Sequence, residues 1–208
     1  SHPTPWSAQS LEAIAFTAAE ASGTSFPAVG PLVQTTWNQT CYYNASCPAD
    51  AGGPCGHAVT GCVATAMAQV MKYWNYPATG TGSNSYTHPT YGTLTADFGS
   101  TVYRWNDMPV SLSSDNTAVA TLLYHCGVAV HMYYGASSSA AILSPDALVA
   151  TFGYSPDGRY VFREDYSDTE WTALMKSELN SLRPVLYRGS GPAGGHAFIL
   201  DGFEGDDY

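Results

Sequence analysis

The sequence predicts an α+β fold, and three observations carry that expectation. Helical periodicity with recognisable caps recurs in several separate segments, short β-rich runs cluster near the C-terminus, and helices precede most of the strands. There is no internal repeat, and no linker is long enough to separate autonomous domains. At 208 residues the chain is expected to be a single catalytic-size domain, 1–208, of two closely packed lobes, with enough chain to bury a substantial core.

The elements follow in order. Ser7, Ala8, Leu11, Ile14, Ala15 and Ala18 are spaced as an amphipathic N-terminal helix ending near Gly23, where a left-handed cap costs little. Residues 26–60 hold no sustained period and are punctuated by proline, glycine and cysteine, which predicts a long ordered loop. From Cys62 to Trp74 the apolar Val63, Met67, Val70 and Trp74 repeat helically while Ala64, Ala66 and Ala68 keep the other faces small. This helix is expected to be central and buried, and Asn75-Tyr76-Pro77 stops it. The Gly/Ser/Thr-rich stretch 78–93 reads as a loop or short hairpin and as the candidate start of the second lobe.

Asp115 to His125 predicts another helix, with Val119, Leu122, Leu123 and Cys126 inward, Gly127 as its cap and a strand over Val128–Tyr134 after it. Ser144-Pro145-Asp146 is an N-cap with proline at the first helical position, starting a short helix that Gly153 ends. Ser167-Asp168-Thr169-Glu170 is a capping box for a helix carrying Trp171, Leu174, Met175 and Leu179, which Pro184 terminates. Pro184–Arg188 and His196–Leu200 are β-rich runs joined by the nearly bare loop 189–195, whose backbone is suited to lining a cleft.

Composition removes several classes of function. With 45% hydrophobic and 12% charged residues, neither a disordered chain nor a coiled coil fits. Seven basic residues against seventeen acidic ones give a net charge of −10, which repels phosphate backbones and anionic lipid alike. Neither nucleic acid nor membrane is expected as a partner, and no apolar stretch reaches the length of a membrane span. Ser1-His2-Pro3-Thr4-Pro5 has neither a basic n-region nor an apolar h-region, so an uncleaved signal peptide is not expected. Scarce lysine with abundant Tyr, Ser, Thr and Gly suits an exported bacterial protein in mature form.

Five cysteines are an odd number, so in an oxidising compartment at least one thiol stays unpaired, and Cys62 is the expected one. Cys41, Cys47, Cys55 and His57 are a conceivable zinc set, but their gaps match no compact C-x2-C spacing. One local disulfide or surface thiols are the preferred readings, and no metal or organic cofactor is expected.

The chemistry centres on Gly61-Cys62-Val63-Ala64-Thr65-Ala66. Free cysteine is usually a buried packing residue, but a small residue before it and a helix N-terminus at it leave room for a substrate and favour thiolate. A nucleophile needs a base, and His196 follows Gly194-Gly195 at the start of an apolar run, with clearance on one side of the imidazole. His57, five residues before Cys62, ranks behind because a loop histidine lacks a rigid support. Gln39, in Trp37-Asn38-Gln39, is suited to donating with the Cys62 backbone N–H into an oxyanion site. Asp201 is the nearest orienter for His196, but five positions along a strand put it on the opposite face, so no orienter is evident. Cysteine early and histidine late is the order of papain-like thiol hydrolases.

Trp37-Asn38-Gln39, the Gly-Cys-Val-Ala-Thr-Ala run with Gln69, Met71, Lys72, Tyr73 and Asn75-Tyr76-Pro77, then Met132-Tyr133-Tyr134-Gly135 and Gly194-Gly195-His196-Ala197-Phe198 through Asp201-Gly202, closely resemble the streptopain family of secreted bacterial cysteine peptidases. The resemblance spans most of the chain in the right order. It implies a papain-like fold, a central buried helix packed on an antiparallel β-sheet lobe. It also implies Cys62 as nucleophile, His196 as base, Gln39 in the oxyanion hole, and no cofactor. The implied activity is that of an endopeptidase on protein substrates, with a preference for an apolar residue two positions before the scissile bond. The enzyme would be held as a zymogen by its own N-terminal prodomain and act extracellularly or at the cell surface. Gly194, Gly195 and Ser137, in loop 189–195 and in the turn 135–139, are the candidate substrate-binding residues. Two rivals are an amidase acting on cell-wall peptides and a papain-like scaffold that binds peptide without turnover.

One departure stands out. Members of that family continue into an Asn-Trp-Gly-Trp-Gly segment whose asparagine orients the histidine, and this sequence stops at Tyr208. His196–Leu200 is expected to be an interior strand with too little chain after it to pair its second edge. The expectation is therefore a longer polypeptide whose remaining segment supplies the orienter.

Overall fold

The computed structural model describes residues 10–16, 27–192 and 194–205. In chain order they form β1 (Ser10–Phe16), β2 (Ala28–Val29), α1 (Cys62–Trp74), β3 (Ser83–His88), β4 (Gly92–Asp97), α2 (Thr117–Ala129), α3 (Pro145–Phe152), β5 (Gly158–Phe162), α4 (Asp168–Asn180), β6 (Val185–Gly191), β7 (Gly194–Leu200) and β8 (Phe203–Glu204). Contacts divide the chain into two units, one taking both ends (Ser1–Val33 and Ser155–Tyr208) and one the middle (Gln34–Tyr154). Mixed helices and antiparallel sheets make the class α+β, as the sequence predicts.

In the middle unit α1 is sunk in the core: Val63 through Ala68, Val70 and Met71 are all buried. Its alanines let neighbours approach closely over most of the helix, while Gln69, Lys72 and Tyr73 stay half-buried. Asn75 ends it in the left-handed conformation at φ 48°, its N–H returning to the Lys72 and Met71 carbonyls. The Lys72 ammonium closes the last turn, donating to Asn75 Oδ1 at 2.9 Å and to the Trp105 carbonyl at 2.8 Å. α1 packs on α2, whose N-cap Asn116 accepts from the Val119 N–H. The stretch 78–93 contributes to the hairpin β3–β4, in register Ser83↔Asp97 to His88↔Gly92. That hairpin clusters with α1 and α2 in one unit, so no second lobe starts there. α3 runs from N-cap Ser144 to left-handed Gly153, as Ser-Pro-Asp and glycine dictate.

α2 departs from the expected end. It continues to Ala129, with Gly127 inside it, and no strand covers 128–134; only an isolated Tyr133↔Ala140 bridge follows. Gly127 is required by a close approach rather than by a cap: a Cβ there would lie 2.0 Å from the hydroxyl of Tyr134, itself buried. The turn away comes later, at His131 with φ 51°.

In the end unit an antiparallel sheet has the order β5-β1-β6-β7. Here the N-terminal helix expectation fails: Ser10–Phe16 is a strand, paired Glu12↔Phe162 through Phe16↔Gly158 on one side and Ser10↔Ser190 through Ile14↔Leu186 on the other. Leu11, Ala13 and Ala15 also satisfy an alternating period, and only partners far along the chain choose between the two periods. Ser7, Ala8 and Ala18 lie outside the described residues. α4 keeps its capping box, Ser167 with Glu170, and sends Trp171, Met175 and Leu179 into a core with Ala13, Val161, Val185, Tyr187, Leu200 and Phe203. The Trp171 indole N–H donates to Tyr187 Oη at 2.8 Å. The expected glycine loop 189–195 is mostly ladder: Gly189 pairs with His196, Ser190 with Gly195 and Gly191 with Gly194. Pairing on both sides of the turn satisfies backbone that a loop would leave to water. Among the described residues β7 pairs with β6 alone.

Burial lowers the His125 pKa from 6.5 to about 4, with its Nδ1 2.9 Å from Tyr103 Oη and Phe98 edge-on to the ring. Below its ordinary pKa the unfolded chain takes up a proton that the folded one refuses, so stability falls as pH drops from 6.5 towards 4 and levels off below. Thermal melts across that window are expected to show a falling Tm, and His125→Asn to flatten the slope. An unchanged slope in the variant would contradict the assignment.

Candidate active site

Cys62 is the first residue of α1, and what precedes it explains its exposure. Gly61 sits at φ 85°, and a Cβ on it would come within 2.7 Å of the Met132 Cε and Sδ and 3.2 Å of Ser139 Cβ. The positive φ favours glycine, and a side chain there would have to push aside the end of the Met132 side chain. With the chain turned this way Cys62 is half-buried, whereas Cys47 and Cys126 are buried. Its backbone N–H is one of the first-turn donors without an intrahelical acceptor, at the positive end of a 13-residue helix. The one local disulfide that the sequence suggests joins Cys41 and Cys55, and Cys62 is free together with Cys47 and Cys126. The disulfide also removes two members of the conceivable zinc set. Burial pushes the Cys47 thiol up to about 12, against a hydrogen bond from Tyr134, and pushes Cys126 up as well.

Gln39 reaches the same place through a run of anchors. Gln69, on α1, accepts from the Trp37 N–H at 3.2 Å and the Thr35 hydroxyl at 3.1 Å. The Trp37 indole donates to the Pro109 carbonyl at 2.9 Å. Two residues on, the Gln39 carbonyl accepts from the N–H of Thr60, two residues before the nucleophile, at 3.1 Å. Backbone bonds thus bind Gln39 to the segment that delivers Cys62.

The turn 135–139 borders this segment too. The Val59 N–H donates to the Gly135 carbonyl at 3.1 Å, and Ser139 Oγ donates to the Val59 carbonyl at 2.7 Å while accepting from the Gly135 N–H at 3.1 Å. Ser137 is exposed on that turn. Ser139, which holds the turn in place, is missed by a reading of the sequence, since in a run of three serines nothing marks the buried one. Gln39, Cys62 and the turn are therefore brought together within one unit. His57 is committed elsewhere, its Nδ1 2.8 Å from the Cys47 carbonyl.

The remaining candidates are in the end unit. His196 lies on β7 opposite Gly189, exposed, its ring stacked with Phe198 at 6.3 Å between centroids. Gly194 has φ 111°, a conformation for glycine, and a Cβ on Gly195 would make only ordinary contacts of 3.7–4.0 Å. Nothing in its own unit requires Gly195 to be bare. The carboxylate of Asp201 accepts from the Val33 N–H at 3.0 Å, and its carbonyl accepts from Leu32 at 2.9 Å. Asp201 thus anchors the segment 32–33.

A half-buried cysteine at a helix start, behind a glycine at positive φ, is a pattern that can be compared with known proteins. The profile of the peptidase C10 family matches residues 37–208, which include Gln39, Cys62 and His196. The chain belongs to the peptidase C10 family. Among curated relatives, the streptopain of Streptococcus pyogenes is 38% identical over 168 residues, covering 73% of this chain and 42% of that protein. The thiol protease/hemagglutinin PrtT of Porphyromonas gingivalis is 32% identical over 196 residues, covering 86% of this chain and 22% of that one. This C10 chain thus spans less than half the length of either. Active wild-type interpain A, a cysteine protease of Prevotella intermedia, superposes with a TM-score of 0.80 at 37% identity, covering 88% of this chain and 80% of that one. A prointerpain A fragment gives 0.78, covering 88% and 60%. The fold is therefore the papain-like one of these proteases, as the resemblance implies.

Brief iodoacetamide treatment followed by peptide mapping is expected to find label on Cys62 first and on Cys47 and Cys126 last, since burial holds the latter two as protonated thiols. Earlier labelling of Cys47 or Cys126 would remove Cys62 as the reactive thiol.

Proposed function

We propose that this chain is the catalytic part of a cysteine endopeptidase acting on protein substrates. The observation that carries the reading is Cys62, half-buried at the start of α1 behind a glycine at positive φ, in a member of the C10 family. The sulfur of the Cys62 thiolate attacks the scissile carbonyl carbon, and the developing oxyanion accepts from the Cys62 N–H and the Gln39 carboxamide. The C–N bond breaks as the His196 imidazolium hands its proton to the leaving amine. Water then attacks the thioester, His196 takes its proton, and the C–S bond breaks to release the acid and restore the Cys62 thiolate beside the His196 imidazolium. Bare Gly194 and Gly195 and the turn bearing Ser137 are the proposed substrate-binding backbone.

A disulfide within the loop before the nucleophile supports export to an oxidising compartment, and none of the helices among the described residues is long and apolar enough to cross a membrane. The existence of a pro-form in interpain A supports restraint by an N-terminal prodomain here.

His196→Ala is expected to abolish casein hydrolysis while His57→Ala keeps most of it; equal losses would mean that the wrong imidazole has been chosen. Gln39→Ala should lower kcat roughly a hundredfold with KM little changed, the cost of one lost oxyanion donor. Casein that binds without being cut by the wild-type chain would replace the peptidase with a peptide-binding scaffold.

A further inference from the structure

The disulfide Cys41–Cys55 lies in the segment that holds Gln39, not at a chain end or between the two units. Residue 37 is fixed to Gln69 of α1, residue 39 to Thr60, and residue 41 by a covalent bond to Cys55. Anchors at alternate positions fix a short stretch of backbone far more firmly than one anchor does, because each removes rotation that the next would otherwise have to absorb. Between the anchors the Asn38 carboxamide oxygen accepts from the Thr40 N–H and hydroxyl, and the Thr40 carbonyl accepts from the N–H groups of Tyr43 and Asn44. On the far side of the bond, the Asn44 carboxamide donates to the Pro54 and His57 carbonyls at 2.8 and 3.2 Å. Cys55 itself sits at φ 53°, a left-handed conformation a cysteine rarely takes, inside the turn Pro54–Gly56 that leads to Thr60. The covalent bond thus joins the residue two after Gln39 to the strand of backbone that delivers Cys62.

We infer that Cys41 and Cys55 are positioning residues: their disulfide sets the Gln39 carboxamide at the oxyanion site. The inference rests on the reading of Gln39 as oxyanion donor given above. It has a redox corollary. A dithiol such as dithiothreitol transfers two electrons and two protons to the bond, leaving two cysteine thiols and its own cyclic disulfide. Reductant that keeps Cys62 as a thiol therefore also threatens the bond that positions its oxyanion donor. Cys55 is exposed and Cys41 half-buried, so the bond is open to such attack.

The test is a cycle of variants of the full chain, with activity on a fluorogenic peptide normalised to titrated Cys62. Cys41→Ser/Cys55→Ser is expected to lower kcat about tenfold with KM unchanged, because a displaced donor loses only part of what a deleted one does. In the Gln39→Ala background the same pair should cost nothing further. An equal loss in both backgrounds, a loss in KM alone, or no loss would overturn the inference. If Gln39→Ala by itself leaves kcat unchanged, the oxyanion reading fails instead, whatever the disulfide does. Should the double serine variant not fold, wild-type protein is titrated with dithiothreitol, with mass spectrometry following the disulfide. Turnover per Cys62 thiol should fall with the bond and return on reoxidation with glutathione disulfide, and turnover indifferent to the bond would sink the proposal.

Discussion

The close approach of Met132 to the α-carbon of Gly61 is the constraint from which the site takes its form. The end of the methionine side chain occupies the volume a side chain at 61 would need, and the positive φ there suits glycine. Cys62 follows half-buried while most of the helix behind it is buried. The same methionine carbonyl accepts from Tyr86 Oη at 2.6 Å, which ties the hairpin β3–β4 to this packing.

Protection and reactivity are divided among the thiols by the same packing. Cys126 lies against Met71 in the core, its sulfur 3.6 Å from the Met71 sulfur, and Cys47 is buried against Tyr134. For both, burial without a cation to offset it disfavours the thiolate. Cys62, behind Gly61 at the start of α1, is only half-buried.

How far the sequence discloses this molecule depends on the range of the forces involved. α1, α3 and α4 are legible because their boundaries are local: Asn75, Ser144, Gly153 and the Ser167–Glu170 pair satisfy helix ends with groups a few residues away. β1 is misread because its identity is decided by β5 and β6, far along the chain, and seven residues cannot distinguish the two periods. Gly127 deceives for a similar reason, since the atom that excludes a side chain there belongs to Tyr134. Cys62 and His196 stand out by residue type and glycine neighbours, and Gln39 by its carboxamide in the Trp37-Asn38-Gln39 run. The pairing of Cys41 with Cys55 and the role of Ser139 do not, for they depend on which backbone segments meet.

The interleaving of β1 between β5 and β6 has a consequence for how the protein is made. Ser10–Phe16 is translated well before both of its neighbours, which lie in Gly158–Gly191. The segment Gln34–Tyr154, a compact unit, is complete before either neighbour is translated. During elongation β1 therefore waits as an unpaired edge while later chain folds ahead of it, an exposure typical of sheets closed by distant segments. Whatever shields that strand in the interval, another segment or a chaperone, governs the yield of the sheet that carries His196.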